Sequence, residues 1–159
     1  MSKQTSAVER QQIPTDIQPW LDITGSMTQA IADATNLTPY VNITFSGVDT
    51  TSNWEQQSFP EVSCFARQIE LKAGDFCCLF ARSIAQTESP AALALATLGN
   101  RPLADLLFHG DWQAGEITTA KRGDDEFGRA VNWHTPDGQT IMVQEFIRLE
   151  FAQRYTPRR

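Results

Sequence analysis

Three charged side chains interrupt apolar rows in segments that the sequence predicts as strands. Alternate residues of a strand point to the same face of a sheet. Glu145 is the one charge in the row of the last strand, residues 139–151, and Arg67 and Arg82 stand in the rows of two earlier strands. A buried charge destabilises a fold by several kcal/mol unless a partner or a ligand compensates it.

Two explanations fit these charges. In the first, the charges are structural: they form a buried salt bridge, or they lie at a sheet edge where the charge reaches solvent. In the second, they line a cavity built for a small anion. A single glutamate cannot neutralise two arginines, and this mismatch favours the cavity. Arg67, Arg82 and Glu145 suit a ligand that is an anion and also offers a hydroxyl to the carboxylate.

The length and the charge limit the class of protein. A chain of 159 residues suits one domain with a hydrophobic core, and a net charge of −6 argues against a nucleic-acid surface. No window approaches the ~20 apolar residues of a membrane span. The polar residues 1–12 lack the apolar run of a secretory signal, and three cysteines, two of them adjacent, are typical of reduced thiols. We therefore expect a cytoplasmic monomer.

Other chemistries lack their motifs. Metal-ligand spacings, a Gly-rich phosphate loop and a nucleophile elbow are absent from the sequence, so we expect no metal. His109, next to Gly110, is interpreted as a loop residue and not a base. Cys78 stands in an apolar row, where packing is a better explanation than nucleophilic chemistry.

Two helix starts bring backbone N–H groups to positions where a carboxylate can bind. Ser26 is a predicted N-cap, so one helix begins at Met27, and another begins at Pro102 with Leu103 in its first turn. The first N–H groups of a helix have no partner within it and can bind an anion. The alternative, which holds for most helices, is that water or a capping side chain such as Ser26 satisfies them.

The remaining segments predict about six strands, mostly joined as hairpins. The strands at 62–72 and 75–85 form a hairpin about Gly74 and carry Arg67 and Arg82. The row that contains Arg82 is predicted as Phe76, Cys78, Phe80, Arg82 and Ile84.

These elements predict a single α+β domain, an antiparallel sheet with helices covering one face and an internal ligand cavity. The polar loop at 47–60 is long enough to act as a flexible flap. We expect the domain to occupy residues 14–155, with a flexible N-terminus at 1–13 and a C-terminal tail at 156–159.

An ordered set of short runs resembles the chorismate–pyruvate lyase family, the 4-hydroxybenzoate synthases that open bacterial ubiquinone biosynthesis. No single run is specific, but their order and spacing extend from Trp20 to Phe151. The runs are Trp20-Leu21, Gly25 to Thr28, Phe65 to Ile69, Ala81 to Ser83, Leu98 to Leu103, Leu107-Phe108, Phe127 to Arg129 and Gln144 to Phe146.

The resemblance implies both a site and a reaction. It implies a closed cavity in which Arg67, Glu145 and the backbone at Met27 and Leu103 hold the product 4-hydroxybenzoate, with Arg82 as a further cavity arginine. Chorismate would lose pyruvate without metal or cofactor. Arg67 would bind the ring carboxylate, Arg82 the departing enolpyruvate carboxylate, and Glu145 the C4 hydroxyl while assisting removal of the C4 proton.

Departures from the family pattern affect substrate access more than chemistry. Residues 84–88 replace a proline-containing turn, Ala104 stands where glycine is common, and residues 124–126 are unusually acidic.

Two other classes of protein remain open. One is a non-catalytic module that binds or senses hydroxybenzoates. The ligand-sensing domain of one group of bacterial transcription regulators resembles the fold, but fewer than twenty residues precede Trp20, too few for a DNA-binding domain. The other is a structural protein with buried ion pairs, which would tolerate leucine at Arg67 or Glu145.

Overall fold

A computed structural model describes residues 3–158 of the chain. Its strands are β1 Thr5–Ala7, β2 Tyr40–Thr50, β3 Ser63–Ala73, β4 Phe76–Ala85, β5 Gln113–Arg122, β6 Glu126–His134 and β7 Thr140–Arg148. Its helices are α1 Gln18–Leu21, α2 Met27–Thr35, α3 Pro90–Thr97, α4 Ala104–Leu107 and α5 Leu149–Arg154. The strands form one antiparallel sheet in the order β1-β5-β6-β7-β4-β3-β2. The predicted α+β class and antiparallel sheet are confirmed, with seven strands where about six were expected.

The additional strand comes from the segment predicted as a flexible N-terminus. Residues Thr5–Ala7 pair with the edge of β5, and the backbone N–H of Gly123 donates to the carbonyl of Gln4 at 2.9 Å. This short strand therefore has a defined place in the sheet. Residues 1 and 2 of the predicted flexible N-terminus, and residue 159 of the predicted tail, lie outside the described residues.

A bulge in the β3–β4 hairpin reverses the predicted faces of β4. Leu71 pairs with Leu79, but Lys72 pairs with Cys77, so Cys78 is an extra residue without a partner in the ladder. From that point on, the alternation of side chains is shifted by one residue. The prediction that Phe80 and Arg82 continue the row of Phe76 and Cys78 is therefore wrong.

The last strand is shorter than predicted. It ends at Arg148, and the segment expected to continue it as far as residue 151 is the helix α5. The N–H of Leu149 donates to the carbonyl of Asp125 at 2.9 Å. The helix brings the fully buried Phe151 against Trp20, with ring centroids 5.2 Å apart, and against Tyr155. We attribute the early end of the strand to this aromatic packing.

The helices pack against one face of the sheet through two apolar clusters. One contains Ile17, Trp20 and Ile31, and the other contains Leu95 and Leu107. Ser26 caps α2 as predicted, because its hydroxyl accepts a hydrogen bond from the N–H of Gln29. None of the helices in the described part of the chain combines the length and the apolar character that a membrane crossing needs.

The opposite face of the sheet is partly covered by the segment that was predicted as a flap. Residues 47–50 extend β2, and the following residues fold onto the sheet, where Phe59 is buried in a third apolar cluster with Met142 and Ile84. The segment therefore lies on the face that the helices leave open, and it does not line the space beneath them.

Candidate functional site

A cavity of about 80 Å³ lies between the sheet and the first turns of α2 and α4. This volume exceeds the ~15 Å³ that a single water molecule needs. Side chains from β3, β4, β6 and β7 form its floor, and residues 24–28 and 102–108 form its walls. The charged residues among its described lining are Arg67, Arg129 and Glu145.

Four of the five predicted site residues line this cavity. Arg67 and Glu145 come from the sheet, and Met27 and Leu103 come from the starts of α2 and α4. Arg82 lies on the opposite face, because the bulge at Cys78 precedes it in β4. The cavity thus brings together residues that are up to 118 positions apart in the sequence, from Met27 to Glu145.

Arg67 is buried, and no carboxylate of residues 3–158 forms an ion pair with it. It is 2% exposed, and its Nη2 donates to the carbonyls of Arg101 at 2.7 Å and Gly99 at 3.2 Å. Gly99 has a φ of +61°, a conformation that glycine adopts readily and that ends α3 where Arg67 can reach these carbonyls. The Nε of Arg67 has no hydrogen-bond partner in residues 3–158, and burial lowers the pKa of its guanidinium. Arg67 therefore retains donor capacity for a ligand.

Glu145 faces the cavity from the centre of β7. It pairs across the sheet with Ala81 of β4 and Arg129 of β6. Burial raises the pKa of Glu145, and the charge of Arg129 offsets only part of this effect. A carboxylate in this environment binds a proton more readily than one in water.

Arg129 is a cavity residue that the sequence reasoning missed. Its Nη1 donates to the carbonyl of Leu21 at 2.8 Å, and its Nη2 lies 3.9 Å from Oε1 of Glu145. Its Nε, like that of Arg67, has no partner among the described residues. The signal was present, because Arg129 is the one charge in an apolar row with Phe127, Val131 and Trp133.

Gly128 permits the close approach of β6 to the backbone of Glu145. A Cβ at this position would lie 1.7 Å from the carbonyl oxygen of Glu145, far inside contact distance. Only glycine therefore fits between Phe127 and Arg129 in this strand pairing.

Arg82 is saturated by protein acceptors on the other face of the sheet. Its Nε and Nη2 bind the carboxylate of Glu55 at 2.7 and 3.2 Å, and its Nη1 binds Asp49 at 2.8 Å and Gln68 at 2.9 Å. Nη2 also donates to the carbonyl of Thr50 at 3.3 Å. A guanidinium has five N–H donors. These five contacts occupy all of them, so no donor of Arg82 is left for a ligand.

The Arg82–Glu55 pair is buried, since Glu55 is 2% exposed. Burial alone would raise the pKa of Glu55 and lower that of Arg82. The hydrogen bonds and opposite charges of the pair outweigh burial, so the pKa of Glu55 lies below its usual value and that of Arg82 above.

Cys78 is a packing residue in this fold. It is fully buried, and burial raises the pKa of its thiol to about 12. A nucleophilic cysteine requires the thiolate, which this environment disfavours. Cys64, Cys77 and Cys78 are all free thiols.

Comparisons with known proteins agree with the resemblance noted in the sequence. A protein named probable chorismate pyruvate-lyase from Pasteurella multocida (strain Pm70) is 32% identical over 104 residues, which are 61% of this chain and 59% of that protein. The match therefore spans less than two thirds of the relative. Among solved structures, the possible transcriptional regulator YydK from Bacillus subtilis gives a TM-score of 0.46 at 8% identity, covering 73% of this chain and 61% of that one. A likeness of this size has no bearing on function.

The family model described as chorismate lyase matches residues 4–145, a stretch that includes every cavity residue considered above, and the chain belongs to the chorismate lyase family.

Proposed function

We propose that the protein is a chorismate lyase that eliminates pyruvate from chorismate to give 4-hydroxybenzoate, the first committed step of ubiquinone biosynthesis. The observation that carries this proposal is the family match over residues 4–145. The same stretch supplies Arg67, Glu145, Met27 and Leu103 to one cavity, which supports a single site.

The proposed reaction balances without a further reactant. The bond between C3 and the ether oxygen of the enolpyruvyl group breaks, and the proton on C4 leaves. The ring becomes aromatic, and enolpyruvate takes up a proton to become pyruvate. Since every atom of chorismate appears in the two products, the protein has to supply positioning and electrostatic stabilisation.

Arg67 binds the ring carboxylate in this proposal. Its Nη2 is held by the carbonyls of Gly99 and Arg101, which orient the planar guanidinium, while its Nε has no partner within residues 3–158. A planar fork suits a carboxylate. A ligand anion would also compensate this buried charge, which has no carboxylate beside it in the described part of the chain.

Glu145 accepts a hydrogen bond from the C4 hydroxyl and assists removal of the C4 proton. Its raised pKa supports this role, because a carboxylate of higher pKa is a stronger proton acceptor once it is ionised. The backbone at Met27 and Leu103 would complete the contacts with the product, as the family resemblance implies.

Arg82 has no contact with substrate in this proposal, in contrast to the role expected from sequence. Its five donors are bound to Glu55, Asp49, Gln68 and Thr50. It would act by holding β4 against the segment that follows β2.

We also propose that the enzyme works in the cytoplasm. The three free thiols support this, since reduced cysteines are typical of that compartment.

Incubation of the purified protein with chorismate tests the activity. We expect 4-hydroxybenzoate and pyruvate in equal amounts by chromatography, and a loss of turnover in Arg67→Gln. Arg10→Gln is the matched control, because Arg10 forms an exposed ion pair with Asp22.

A non-catalytic binding module would give a different result in this assay. A protein that does not turn over chorismate but melts at a higher temperature with 4-hydroxybenzoate would be a binding module. The absence of both effects would overturn the proposal.

A further inference from the structure

We propose that Arg129 selects a substrate with two carboxylates, by binding the carboxylate of the enolpyruvyl group while Arg67 binds the one on the ring. This inference rests on the proposed function and adds a residue that determines specificity. It assigns to Arg129 the contact that the family resemblance implies for Arg82.

The contacts of Arg129 leave donors for a ligand. One bond, 2.8 Å from Nη1 to the carbonyl of Leu21, fixes the guanidinium. The 3.9 Å separation between Nη2 and Oε1 of Glu145 is an ion pair that is too long for a hydrogen bond. With Nε also unpartnered in the described chain, Arg129 resembles Arg67 and differs from Arg82.

The cavity offers a separate guanidinium group to each of two carboxylates. Two arginines and one glutamate are the charged residues in its described lining. Arg82 cannot add to this charge, because it lies on the opposite face and is paired with Glu55 and Asp49. Chorismate carries two carboxylates and 4-hydroxybenzoate carries one, so each arginine has a partner in the substrate but only one has a partner in the product.

The position of Arg129 beside Glu145 matches the chemistry of the substrate. In the proposed function Glu145 contacts the hydroxyl on C4, and the enolpyruvyl ether is attached to the neighbouring carbon, C3. The carboxylate of that ether therefore lies at the Glu145 end of the ring, on the side of Arg129. Loss of pyruvate would leave Arg129 without its anion, which weakens retention of the product relative to the substrate.

A purely structural role for Arg129 predicts a different pattern. Through Leu21 and Glu145 the side chain connects α1 to the sheet, and its loss could loosen the whole cavity. In that case every ligand would lose affinity by a similar factor. A specific role predicts that only ligands with a second carboxylate lose affinity.

The test compares three stable ligands by isothermal titration calorimetry. 4-Hydroxybenzoate has one carboxylate, 3-(carboxymethoxy)-4-hydroxybenzoate adds a second one through an ether at C3, and 3-ethoxy-4-hydroxybenzoate adds an uncharged group of similar size. In Arg129→Gln we expect the dicarboxylate to lose about 10- to 100-fold in affinity, the range of a charge-assisted hydrogen bond. The two monocarboxylates should stay within about threefold of their wild-type affinity.

Two further variants keep the result interpretable. Arg67→Gln should weaken all three ligands, because all share the ring carboxylate. Arg129→Lys retains a cation without the planar fork and should recover part of the preference for the dicarboxylate. It also serves as the test variant if Arg129→Gln does not fold. Equal losses for all three ligands, or no loss for the dicarboxylate, would overturn the inference.

Failure of this inference is distinguishable from failure of the proposed function. The binding comparison needs no turnover, so a wild-type protein that prefers the dicarboxylate but leaves chorismate intact would refute the lyase and retain the role of Arg129. If chorismate is turned over, KM in Arg129→Gln should rise by about 10-fold or more, while the product affinity changes little.

Discussion

The two faces of the sheet each bury an arginine, and the difference between them lies in the partners. Arg82 makes five hydrogen bonds to oxygen atoms of the protein, including a two-point contact with Glu55. Arg67 is buried more deeply than Arg82, but it contacts two carbonyls and leaves Nε without a partner in the described chain. Burial of a charge alone therefore does not identify a ligand-binding site. An incompletely bonded charge beside a cavity does.

The pKa shifts run in opposite directions on the two faces. Its acidic partners raise the pKa of Arg82, whereas burial without a carboxylate lowers that of Arg67. Glu55 beside Arg82 has a lowered pKa, and Glu145 in the cavity has a raised one. One face therefore stabilises its charges within the protein, and the other keeps charges that a ligand can compensate.

Replacing the buried arginine of each face by glutamine should give the largest difference in stability between the two faces. Arg82→Gln leaves Glu55 buried without its cation, which should lower the free energy of unfolding by about 3–5 kcal/mol. Arg67→Gln removes a charge that has no carboxylate partner among the described residues, and it should change the free energy of unfolding by less than about 1 kcal/mol. Urea unfolding followed by circular dichroism measures both values. Similar losses for the two variants would contradict the comparison.

The pH dependence of the Arg82 face sharpens this prediction. Because the pKa of Glu55 is lower in the folded protein than its ordinary value of 4.5, its ionisation stabilises the fold above that pH. This contribution should disappear as the pH falls through the folded-state pKa. Arg82→Gln should therefore lose less stability on acidification than the wild type does.

Gly128→Ala tests the backbone under the cavity and should have the next largest effect. The added Cβ would meet the carbonyl oxygen of Glu145 at 1.7 Å, so β6 and β7 must separate locally. We expect a loss of about 2–3 kcal/mol in stability, together with weaker ligand binding. Gly25→Ala is the matched control for stability, because a Cβ there would meet no atom within 4 Å. Equal stabilities of the two variants would mean that the pairing of β6 with β7 tolerates a side chain.

The sequence predicted the site where strand alternation continued without interruption. Arg67 in β3 and Glu145 in β7 follow the period of two, and both line the cavity. The prediction failed for Arg82 because one bulge residue, Cys78, shifts the alternation. A bulge depends on the pairing between two strands, and the sequence of one strand does not reveal it.

Two other differences between the predicted and the observed structure are caused by contacts between residues that are distant in the sequence. The helical end of the chain depends on packing of Phe151 against Trp20, which is distant in sequence, and β1 depends on the open edge of β5. Arg129 is a different case, because its row in the sequence shows the same pattern as that of Arg67, one charge among apolar residues. The start of α2 at Met27 was predicted correctly, since capping by Ser26 is a local interaction. The other start was placed wrongly, because α4 begins at Ala104 and not at Pro102, with Leu103 as the residue before its first turn.

The smallest expected effect is a gain in stability from Glu145→Gln in the protein without ligand, whereas the substitutions above are expected to lower stability or to leave it nearly unchanged. Burial raises the pKa of Glu145, so the folded state binds its proton more tightly than the unfolded state, whose value is near 4.5. Stability therefore falls as the pH rises from that value toward the folded-state pKa, and ionised Glu145 destabilises the fold above it. Glu145→Gln should raise stability by about 1 kcal/mol at about pH 7, and the gain should vanish below 4.5.

Thermal unfolding of the wild type and Glu145→Gln at both pH values measures this difference, and turnover of chorismate is assayed beside it. A more stable but inactive variant would mean that the cavity retains an unfavourable charge because the chemistry requires it. A variant that is less stable at neutral pH would mean that Arg129 compensates Glu145 fully. In that event the cavity face would be balanced internally, as the Arg82 face is, and the contrast between the two faces would not hold.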